Sequence, residues 1–382
     1  MEFNYSDEQK MFRDTVYRFA RKELVPLSEE SDLKGEFNFE IWRKMGEMGL
    51  LGISVPEKYG GQGADIITCC LAGEALGHAG VDGGHTLAWS AHIYLCAATI
   101  NQHGTEEQKQ KYLPKLATGE WIGCMGLTEP GCGSDAAALA TTAVKKGDKY
   151  ILNGSKTFIT NAPLAQVFVI FATLDKTKKH KGITAFIVEK DYPGISTGNP
   201  MHKMGYRSSK TSEVFMENCE VPAENCLGGE GAGWPIALGG VEWDRCTVLA
   251  PGLGTTMFML ENCARYANER YAFGRPIGEF QSIQNRIADM RVYEEAAKLC
   301  IYRVAASKDK GINLNPLLAS VNKMYVGDKG FEMCSAGVDL YGGYGYIHEY
   351  PVERALRDAK LMQLGGGTSD IMRMIVARFL MM

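Results

Sequence analysis

The order in which hydrophobic periodicities follow one another is the feature that most restricts what this chain can fold into. Residues 1 to about 120 repeat apolar side chains at helical spacing. Short β-branched and aromatic runs such as AQVFVIFATL then continue to about residue 228, and helical periodicity resumes at about 233 and persists to the end. Helices, then a sheet, then helices exclude the alternating strand and helix pattern of a Rossmann fold.

The length of the chain agrees with more than one folded unit. Its 382 residues exceed the roughly 250–300 at which a single hydrophobic core stops growing. We therefore predict a mainly α protein with a β middle domain. The predicted N-terminal helical domain, middle β domain and C-terminal helical bundle domain are residues 1–120, 121–230 and 231–382.

Local signals predict some features inside these domains. Ser6 followed by Gln9 matches a capping box, which predicts that the first helix begins there. The Asn153–Gly154 pair predicts a tight turn in the middle domain. Residues 156–161 should then form a short strand of their own, on which an aromatic residue stands between threonines.

Composition and motifs exclude several classes of function. The 41 basic and 45 acidic side chains give a net charge of −4, which is too balanced for a nucleic-acid binder. No apolar stretch approaches roughly 18 residues and the N-terminus lacks an apolar signal segment, so we predict a soluble, cytoplasmic protein with no membrane partner. No Gly-x-Gly-x-x-Gly motif opens a helix after a strand, which disfavours a nicotinamide dehydrogenase.

The cysteines give no sign of a disulfide framework or a metal site. All 11 are scattered along the chain except the pair Cys69–Cys70, and none has the C-x-x-C spacing of a zinc ligand set. We expect reduced residues that lie in the core, and no bound metal.

Three segments that contain glycine are candidates for ligand binding. Residues 127–135, LTEPGCGSD, form a turn with exposed backbone N–H groups and two hydroxyls, which can hold a polar cofactor edge. Residues 270–275 end a long helix with a cation, and residues 340–346 set three glycines among aromatic rings, where a phosphate can approach the backbone. Taken singly, each is also what an ordinary turn or helix end looks like.

Taken together, in this order and at these separations, the segments resemble those of the acyl-CoA dehydrogenase flavoprotein family. The resemblance covers essentially the whole chain, through FNYSDEQ, EKYGGQG, LTEPGCGSD, NGSKTFITN, KMGYRSS, VPAENCLGGEGAGW, RYAFGRPIGEFQ, LYGGYGYIHEYPVER and GGGTSDIMR. It implies an N-terminal helical domain, a middle β-barrel-like domain and a C-terminal four-helix bundle, assembled as a homotetramer around FAD.

The resemblance also assigns residues to cofactor and substrate by position. Those that would contact the flavin, the last at its edge near the CoA moiety, are Leu127, Thr128, Phe158, Thr160 and Ser134. Those that would reach the FAD of a neighbouring subunit, or lie beside its adenosine half, are Arg270, Phe273, Gln281, Gly343, Thr368 and Asp370. Those on the substrate side, with the arginine at the CoA end, are Ser134, Arg245, Gly365 and Gly366.

Two positions depart from the family pattern. Phe158 stands where many members have Trp, which exchanges one aromatic ring for another. Asp339 stands where the family usually has Gln beside the pyrophosphate. A carboxylate near phosphate oxygens is repulsive unless a cation intervenes, so Asp339 is not among the predicted site residues.

The usual catalytic base of the family is absent. Oxidation of an acyl thioester needs a carboxylate that removes the α-proton while hydride leaves the β-carbon for flavin N5. Most members carry a Glu at the position of Gly366, whereas a minority carry it directly before the CoA-site Arg, at Asp244. The register is supported by the 25 residues that separate Arg245 from Arg270. We predict Asp244 as the base, since Glu242 should face elsewhere. The alternative is an acid that is merely neutralised by Arg245 or that stands at a helix start.

The residues predicted around the acyl group indicate a wide pocket with a short base. Asp is one methylene shorter than Glu, and Gly365, Gly366 and Gly367 remove side-chain volume. This combination favours a branched, aromatic or alicyclic acyl group, such as cyclohexanecarbonyl-CoA. An electron-transferring flavoprotein is the expected electron acceptor.

Three other functions stay open. An enoyl-CoA reductase would run the same half-reactions backwards with the same residues, and an oxidase would pass electrons to oxygen. A non-catalytic relative that binds CoA esters or serves as an assembly partner is compatible with the missing Glu, although the flavin-site residues argue against it.

Overall fold

The computed structural model describes residues 5–312 and 316–381, with all side chains in these ranges except those of residues 241–244. A sheet lies between two helical regions along the chain, so the predicted mainly α fold with a β middle domain is confirmed. The exact domain boundaries at 120/121 and 230/231 stay a prediction. No helix among the described residues is both long and apolar enough to cross a membrane.

Seven α-helices form the N-terminal region. They are α1 (Asp7–Phe19), α2 (Val25–Lys34), α3 (Phe39–Glu47), α4 (Ile66–Ala79), α5 (Gly83–Ser90), α6 (Ala98–His103) and α7 (Glu106–Thr118). The predicted capping box begins α1: the Ser6 hydroxyl accepts from Gln9 N at 3.1 Å, and Ser6 N donates to Gln9 Oε1 at 3.1 Å. Two π-helical segments, Ala20–Leu24 and Ala91–Ala97, join α1 to α2 and α5 to α6.

The middle region is one sheet of eight strands. They are β1 (Gly123–Gly126), β2 (Thr142–Lys146), β3 (Lys149–Thr160), β4 (Val167–Thr173), β5 (Ile183–Glu189), β6 (Ile195–Thr197), β7 (Thr211–Pro222) and β8 (Cys226–Leu227). Seven of them pair in the order β6-β7-β3-β2-β4-β5-β8, and β1 runs parallel to β4. All of β4 is buried. Val167 and Val169 pack with apolar residues of the N-terminal helices, whereas Phe168 and Ile170, on the opposite face of the sheet, pack with apolar residues of the other strands.

The predicted turn at Asn153–Gly154 is wrong. Both residues lie inside β3, and the chain reverses instead at Gly147, whose φ is +63°. Glycine is required at position 154 for a steric reason, since a Cβ there would lie 2.5 Å from Thr141 Oγ1. Asn153 Oδ1 accepts from Asn218 N at 2.8 Å across to β7, so this asparagine bridges two strands rather than forming a turn.

Six further α-helices form the C-terminal region. They are α8 (Gly233–Asp244), α9 (Leu249–Glu269), α10 (Gln281–Asp309), α11 (Pro316–Tyr341), α12 (Val352–Ala359) and α13 (Ser369–Met381). A hairpin of β9 (Tyr271–Ala272) and β10 (Arg275–Pro276) lies between α9 and α10.

Glycines bring α4 and α9 into close contact. A Cβ on Gly77 would lie 2.0 Å from Pro251 O, and one on Gly254 would lie 2.1 Å from Glu74 O. Since no side chain fits at these positions, the two helices approach along their backbones. This contact joins the N-terminal and C-terminal helical regions directly.

Candidate active site

Two motif segments from different strands lie side by side at one end of the sheet. The chain leaves β1 at Gly126 and enters the segment 127–135, while the second half of β3 runs next to it. Thr157 N donates to Thr128 O at 2.9 Å and joins the two segments. The predicted flavin contacts Leu127 and Thr128 are thus brought close to the part of β3 that carries Phe158 and Thr160.

The turn predicted in the first segment is present. Glu129 N donates to Cys132 O at 3.1 Å, and Cys132 N donates to Glu129 O at 3.0 Å, which closes a tight turn through Pro130. Ser134 follows this turn and is exposed, so its hydroxyl is accessible to a ligand.

A buried ion pair connects the segment 127–135 with the second half of β3. Lys156 Nζ is 2.6 Å from Glu129 Oε1, and the two side chains are 0% and 5% exposed. Burial by itself would raise the pKa of the Glu129 carboxyl, but the charge of Lys156 and the hydrogen bonds to the carboxylate hold it below its usual range. Burial lowers the pKa of the Lys156 amine, and the Glu129 carboxylate offsets part of that shift.

The side chains of Phe158, Thr128 and Thr160, near this ion pair, suit a flat ring system with a polar edge. Phe158 has a φ of +59° at an irregularity of the β3–β7 register, and the residue is 68% exposed. Thr128 and Thr160 are half-buried, and among the described residues their hydroxyls make no hydrogen bond. An open aromatic face and two unused hydroxyls fit an isoalloxazine ring, which needs stacking and hydrogen bonds at its edge.

Asn161 attaches the end of β3 to the N-terminal helices. Its Nδ2 donates to Ala88 O at 2.8 Å and to Gly123 O at 3.2 Å, and its backbone N donates to Lys210 O at 2.7 Å. The residue is fully buried and has a φ of +70°. Sequence reasoning missed it as a structural anchor of the site, although it lies within the NGSKTFITN motif.

A second group of predicted residues forms around the β9–β10 hairpin. The Arg270 guanidinium lies 5.3 Å from the ring centroid of Tyr344, next to Gly343. Phe273 is 95% exposed with a φ of +52°. Gln281 is the first residue of α10 and is exposed. In the part of the chain that is described, no hydrogen bond, ion pair or ring contact joins this group to the Thr128 and Phe158 segments.

Thr368 and Asp370 lie at the start of α13. The Thr368 hydroxyl accepts from Ile371 N at 3.2 Å, and Asp370 Oδ1 is 2.9 Å from Arg373 Nη1. Their side chains are therefore engaged in the first turn of the helix, with Asp370 largely exposed.

The glycine loop before α13 approaches Arg245. Gly366 and Gly367 have φ values of +64° and +92°. A Cβ on Gly367 would lie 3.7 Å from Arg245 Nη2, and Arg245 is 8% exposed. Asn322 Nδ2 donates to Arg245 O at 2.7 Å and holds this backbone. The structure thus brings Arg245 to the loop that contains Gly366; the predicted base, Asp244, has a side chain outside the described residues.

Comparison with known proteins identifies the family. The short-chain specific acyl-CoA dehydrogenase of Clostridium acetobutylicum is 42% identical over 377 residues, which cover 99% of each chain. Models of the acyl-CoA dehydrogenase N-terminal, middle and C-terminal domains match residues 6–120, 124–219 and 231–381. The chain belongs to the acyl-CoA dehydrogenase family.

Solved structures agree with this assignment. One described as the electron transferring flavoprotein of Acidaminococcus fermentans is 44% identical, with a TM-score of 0.96 over 100% of this chain and 99% of that one. The FAD complex of PigA is 32% identical, with a TM-score of 0.96 over 100% of this chain and 99% of that one. The predictions of an oxidoreductase that acts on acyl-CoA and of FAD as its cofactor are confirmed.

One departure from the acyl-CoA dehydrogenase pattern has a partner. Arg286 Nη1 is 3.0 Å from Asp339 Oδ2, and both side chains are exposed. The cation that a carboxylate needs near phosphate oxygens is therefore present in α10. The pairing could not be predicted from the sequence because it depends on how α10 and α11 are aligned.

A buried Asp, His and Ser group in this acyl-CoA dehydrogenase is structural. His85 Nδ1 is 2.7 Å from Asp82 Oδ2, and the Ser208 hydroxyl donates to Asp82 Oδ1. All three residues are buried, and His85 Nε2 accepts from Asn38 N at 3.0 Å, which leaves no free nitrogen to activate the serine. The group links α5 to the middle region and does not form a hydrolase site.

Proposed function

We propose that this protein oxidises the Cα–Cβ bond of a bulky, branched or alicyclic acyl-CoA, of which cyclohexanecarbonyl-CoA is the first to test, and that Asp244 removes the α-proton. The observation that carries the proposal is the loop Gly365–Gly367, which offers neither a carboxylate nor a side chain next to the buried Arg245. Family membership supplies the reaction class; the base and the acyl group are what we add.

The choice of base follows from where carboxylates are available. Gly366 has no side chain, so the position used by most relatives cannot take a proton. Arg245 lies against the same loop, since its Nη2 is 3.7 Å from a Cβ on Gly367. Asp244 precedes Arg245 directly in the sequence, which keeps a carboxylate within one residue of this contact.

The choice of acyl group follows from the volume that the loop leaves. A Cβ on Gly365 would meet nothing closer than Leu361 O at 3.6 Å, so a side chain at this position is sterically allowed. The glycine therefore leaves space that a larger residue would fill. A wide pocket with a short base favours a ring or a branched chain, because such a group brings its α-carbon towards the base.

When it is bound, FAD supplies the hydride acceptor for this oxidation. We assign Phe158 to cover the ring system, and Thr128 and Thr160 to hydrogen-bond its polar edge. Leu127 completes this contact, Ser134 lies towards the CoA moiety, and Arg245 serves the CoA end. The residues that we assign to the FAD of a neighbouring subunit, or to its adenosine half, are Arg270, Phe273, Gln281, Gly343, Thr368 and Asp370.

We also propose a homotetramer that transfers its electrons to an electron-transferring flavoprotein. In a single chain, several large apolar residues of the C-terminal helices are exposed to solvent: Val292 is 67% exposed, Met374 60% and Leu380 74%. Burial of such surface against other copies of the chain is favourable. The acceptor is suggested by the 44% identical structure described as an electron transferring flavoprotein.

The experiment is an anaerobic titration of the purified protein with straight, branched and cyclic acyl-CoA esters, followed by the loss of flavin absorbance. Cyclohexanecarbonyl-CoA and branched esters should reduce the flavin faster than butyryl-CoA. The matched variant Gly365→Tyr should reverse this preference because it fills the proposed space. Faster reduction by butyryl-CoA in the parent would reject the acyl group, and no reduction by any ester would reject the activity.

A further inference from the structure

We propose that Glu129 and Lys156 are positioning residues for the flavin, which hold the two segments that carry its contacts in the conformation that binds it. The inference rests on the proposed function in one respect, namely that Leu127, Thr128 and Phe158 contact FAD. It adds a role for a pair of charges that touches neither the substrate nor the reacting atoms.

The Lys156 amine connects one segment to the other. Its Nζ donates to Leu127 O at 3.3 Å and to Glu129 Oε1 at 2.6 Å, although the lysine itself stands on β3. A single side chain thus fixes both the residue before Thr128 and the residue after it. The backbone bond from Thr157 N to Thr128 O, at 2.9 Å, adds a third connection between the same segments.

The Glu129 carboxylate extends the connection to the next strand. Its Oε2 accepts from Ala140 N at 2.5 Å, and its Oε1 accepts from Thr141 N at 3.0 Å, just before β2 begins. With the lysine, three donors satisfy this buried carboxylate, and the geometry is that of a charge-assisted network. The exit of β1, the start of β2 and the end of β3 therefore meet at one pair of charges.

The stability of the fold does not by itself explain why this buried ion pair is present. Removing two charges from water is unfavourable, and apolar residues of similar size often stabilise a core as well or better. What a satisfied ion pair adds is a single defined arrangement of the segments that it joins. At this place the defined arrangement includes Phe158, which keeps a φ of +59° only if its surroundings hold it there.

The same strand offers an ion pair without this role. Lys149 Nζ is 2.7 Å from Glu220 Oε2 at the other end of β3, and the side chains are 40% and 44% exposed. Solvent screens this pair, and it joins only β3 to β7. It is the matched control for the buried one.

The test compares flavin binding with protein stability in three variants. Lys156→Met and Glu129→Gln each remove one charge with little change in shape, and Lys149→Met is the control. We expect the two buried variants to raise the FAD dissociation constant by about tenfold or more, and to change the visible circular dichroism of the flavin that stays bound. Lys149→Met should keep both values of the parent.

The double variant Glu129→Gln, Lys156→Met removes both charges, so it leaves no uncompensated charge in the core and should fold even if the single variants do not. It should still bind FAD weakly, because the bond to Leu127 O is lost. If it binds FAD as the parent does, with an unchanged flavin spectrum, the inference is overturned. A lower unfolding temperature of the apoprotein with normal flavin binding would also overturn it, since that would be a purely structural role.

This experiment uses no substrate, so it is independent of the acyl group. A parent that binds FAD but oxidises no acyl-CoA would refute the proposed function and leave the role of the pair to be judged on the dissociation constants alone.

Discussion

Phe158 and Phe273 share two unfavourable properties. Their φ values are +59° and +52°, and the residues are 68% and 95% exposed. A left-handed backbone at a bulky residue costs roughly 1–3 kcal/mol, and an exposed ring forgoes the free energy of burial. Strain of this kind is typical of residues that a ligand or a partner covers. We interpret both rings as surfaces that are completed by FAD, in the same chain for Phe158 and in a neighbouring chain for Phe273.

The variant Asp244→Asn tests the proposed base. It should keep FAD and bind substrate, while flavin reduction slows by about 10²–10⁴, the usual contribution of a general base. Stopped-flow absorbance under anaerobic conditions measures this rate. Glu242→Gln is the control and should reduce its flavin as fast as the parent. Parental rates in Asp244→Asn would show that the proton leaves to another group.

The variant Gly366→Glu tests whether a carboxylate can be restored at the position used by most relatives. Gly366 has a φ of +64°, so we expect a loss in the free energy of unfolding of about 1–2 kcal/mol. Urea denaturation checks this value against Gly365→Ala, where the added Cβ would make only ordinary van der Waals contacts with Leu361 and the φ is not left-handed. Equal stability of the two variants would contradict the argument from backbone strain.

At the scale of elements, the contact between α4 and α9 depends on the absence of side chains. Gly77→Ala would place a Cβ 2.0 Å from Pro251 O, so the helices must separate. We expect destabilisation of about 1–3 kcal/mol or more, measured by thermal unfolding. Gly239→Ala in α8 has nothing within 4 Å of its Cβ and should be neutral or slightly stabilising. A parental unfolding temperature in Gly77→Ala would contradict this packing.

The start of α5, the middle region and α12 meet at Asp358. Burial raises the pKa of this carboxyl to about 7; Asp32 also raises it, whereas the bond from Tyr206 N and the charges of Arg354 and Arg357 lower it. An unfolded Asp has a pKa of about 3.9, so between about pH 4 and pH 7 only the folded state holds the proton. Stability should therefore fall as the pH rises through this window, with the loss complete above it.

The variant Asp358→Asn should remove that loss. Relative to the parent, its free energy of unfolding should increase by about 1 kcal/mol or more between pH 5 and pH 8, because the amide stays neutral. Denaturant titrations at both pH values measure the difference. Asp191→Asn, at an exposed position, is the control. A pH dependence equal to that of the parent would contradict the assignment to Asp358.

At this scale the sequence predicted those features that depend on neighbouring residues, and it did not predict those that depend on contacts between distant parts of the chain. Periodicity indicated the helical regions and the sheet, and the Ser6 capping box is confirmed, because both depend on neighbouring residues. The turn predicted at Asn153 is wrong because the conformation there depends on contacts with Thr141 and Asn218, which are distant in sequence. The pairing of Glu129 with Lys156 was missed for the same reason, although both lie in quoted motifs.

At the scale of the whole molecule, no described contact joins two of the groups of predicted cofactor residues. One surrounds Thr128 and Phe158, and the other surrounds Arg270 and the β9–β10 hairpin. In the proposed function the first group binds the FAD of its own chain and the second binds the FAD of a neighbouring chain. FAD affinity should then depend on assembly.

The variant Arg270→Glu tests this dependence. Reversal of the charge should yield largely colourless, partly dissociated protein, since the arginine is proposed to reach the FAD of a neighbouring chain. Flavin absorbance per chain and sedimentation velocity measure the two effects. Arg43→Glu, on the exposed face of α3, is the control. Full flavin content in an intact assembly would remove the basis for shared cofactor sites.

The backbone contact of α4 with α9 also governs how the chain can fold during synthesis. The two helices are separated in sequence by the entire sheet, so a ribosome must complete the β region before α4 can find its partner. Ten of the fourteen residues of α4 are buried in the finished protein. Its residues Cys70 and Leu71 belong to the apolar cluster of the C-terminal helices, so this side of α4 is exposed on the nascent chain until α9 is made, and closing so long a loop is slow. We expect this interval, rather than the folding of any single region, to be the stage at which a chaperone is needed.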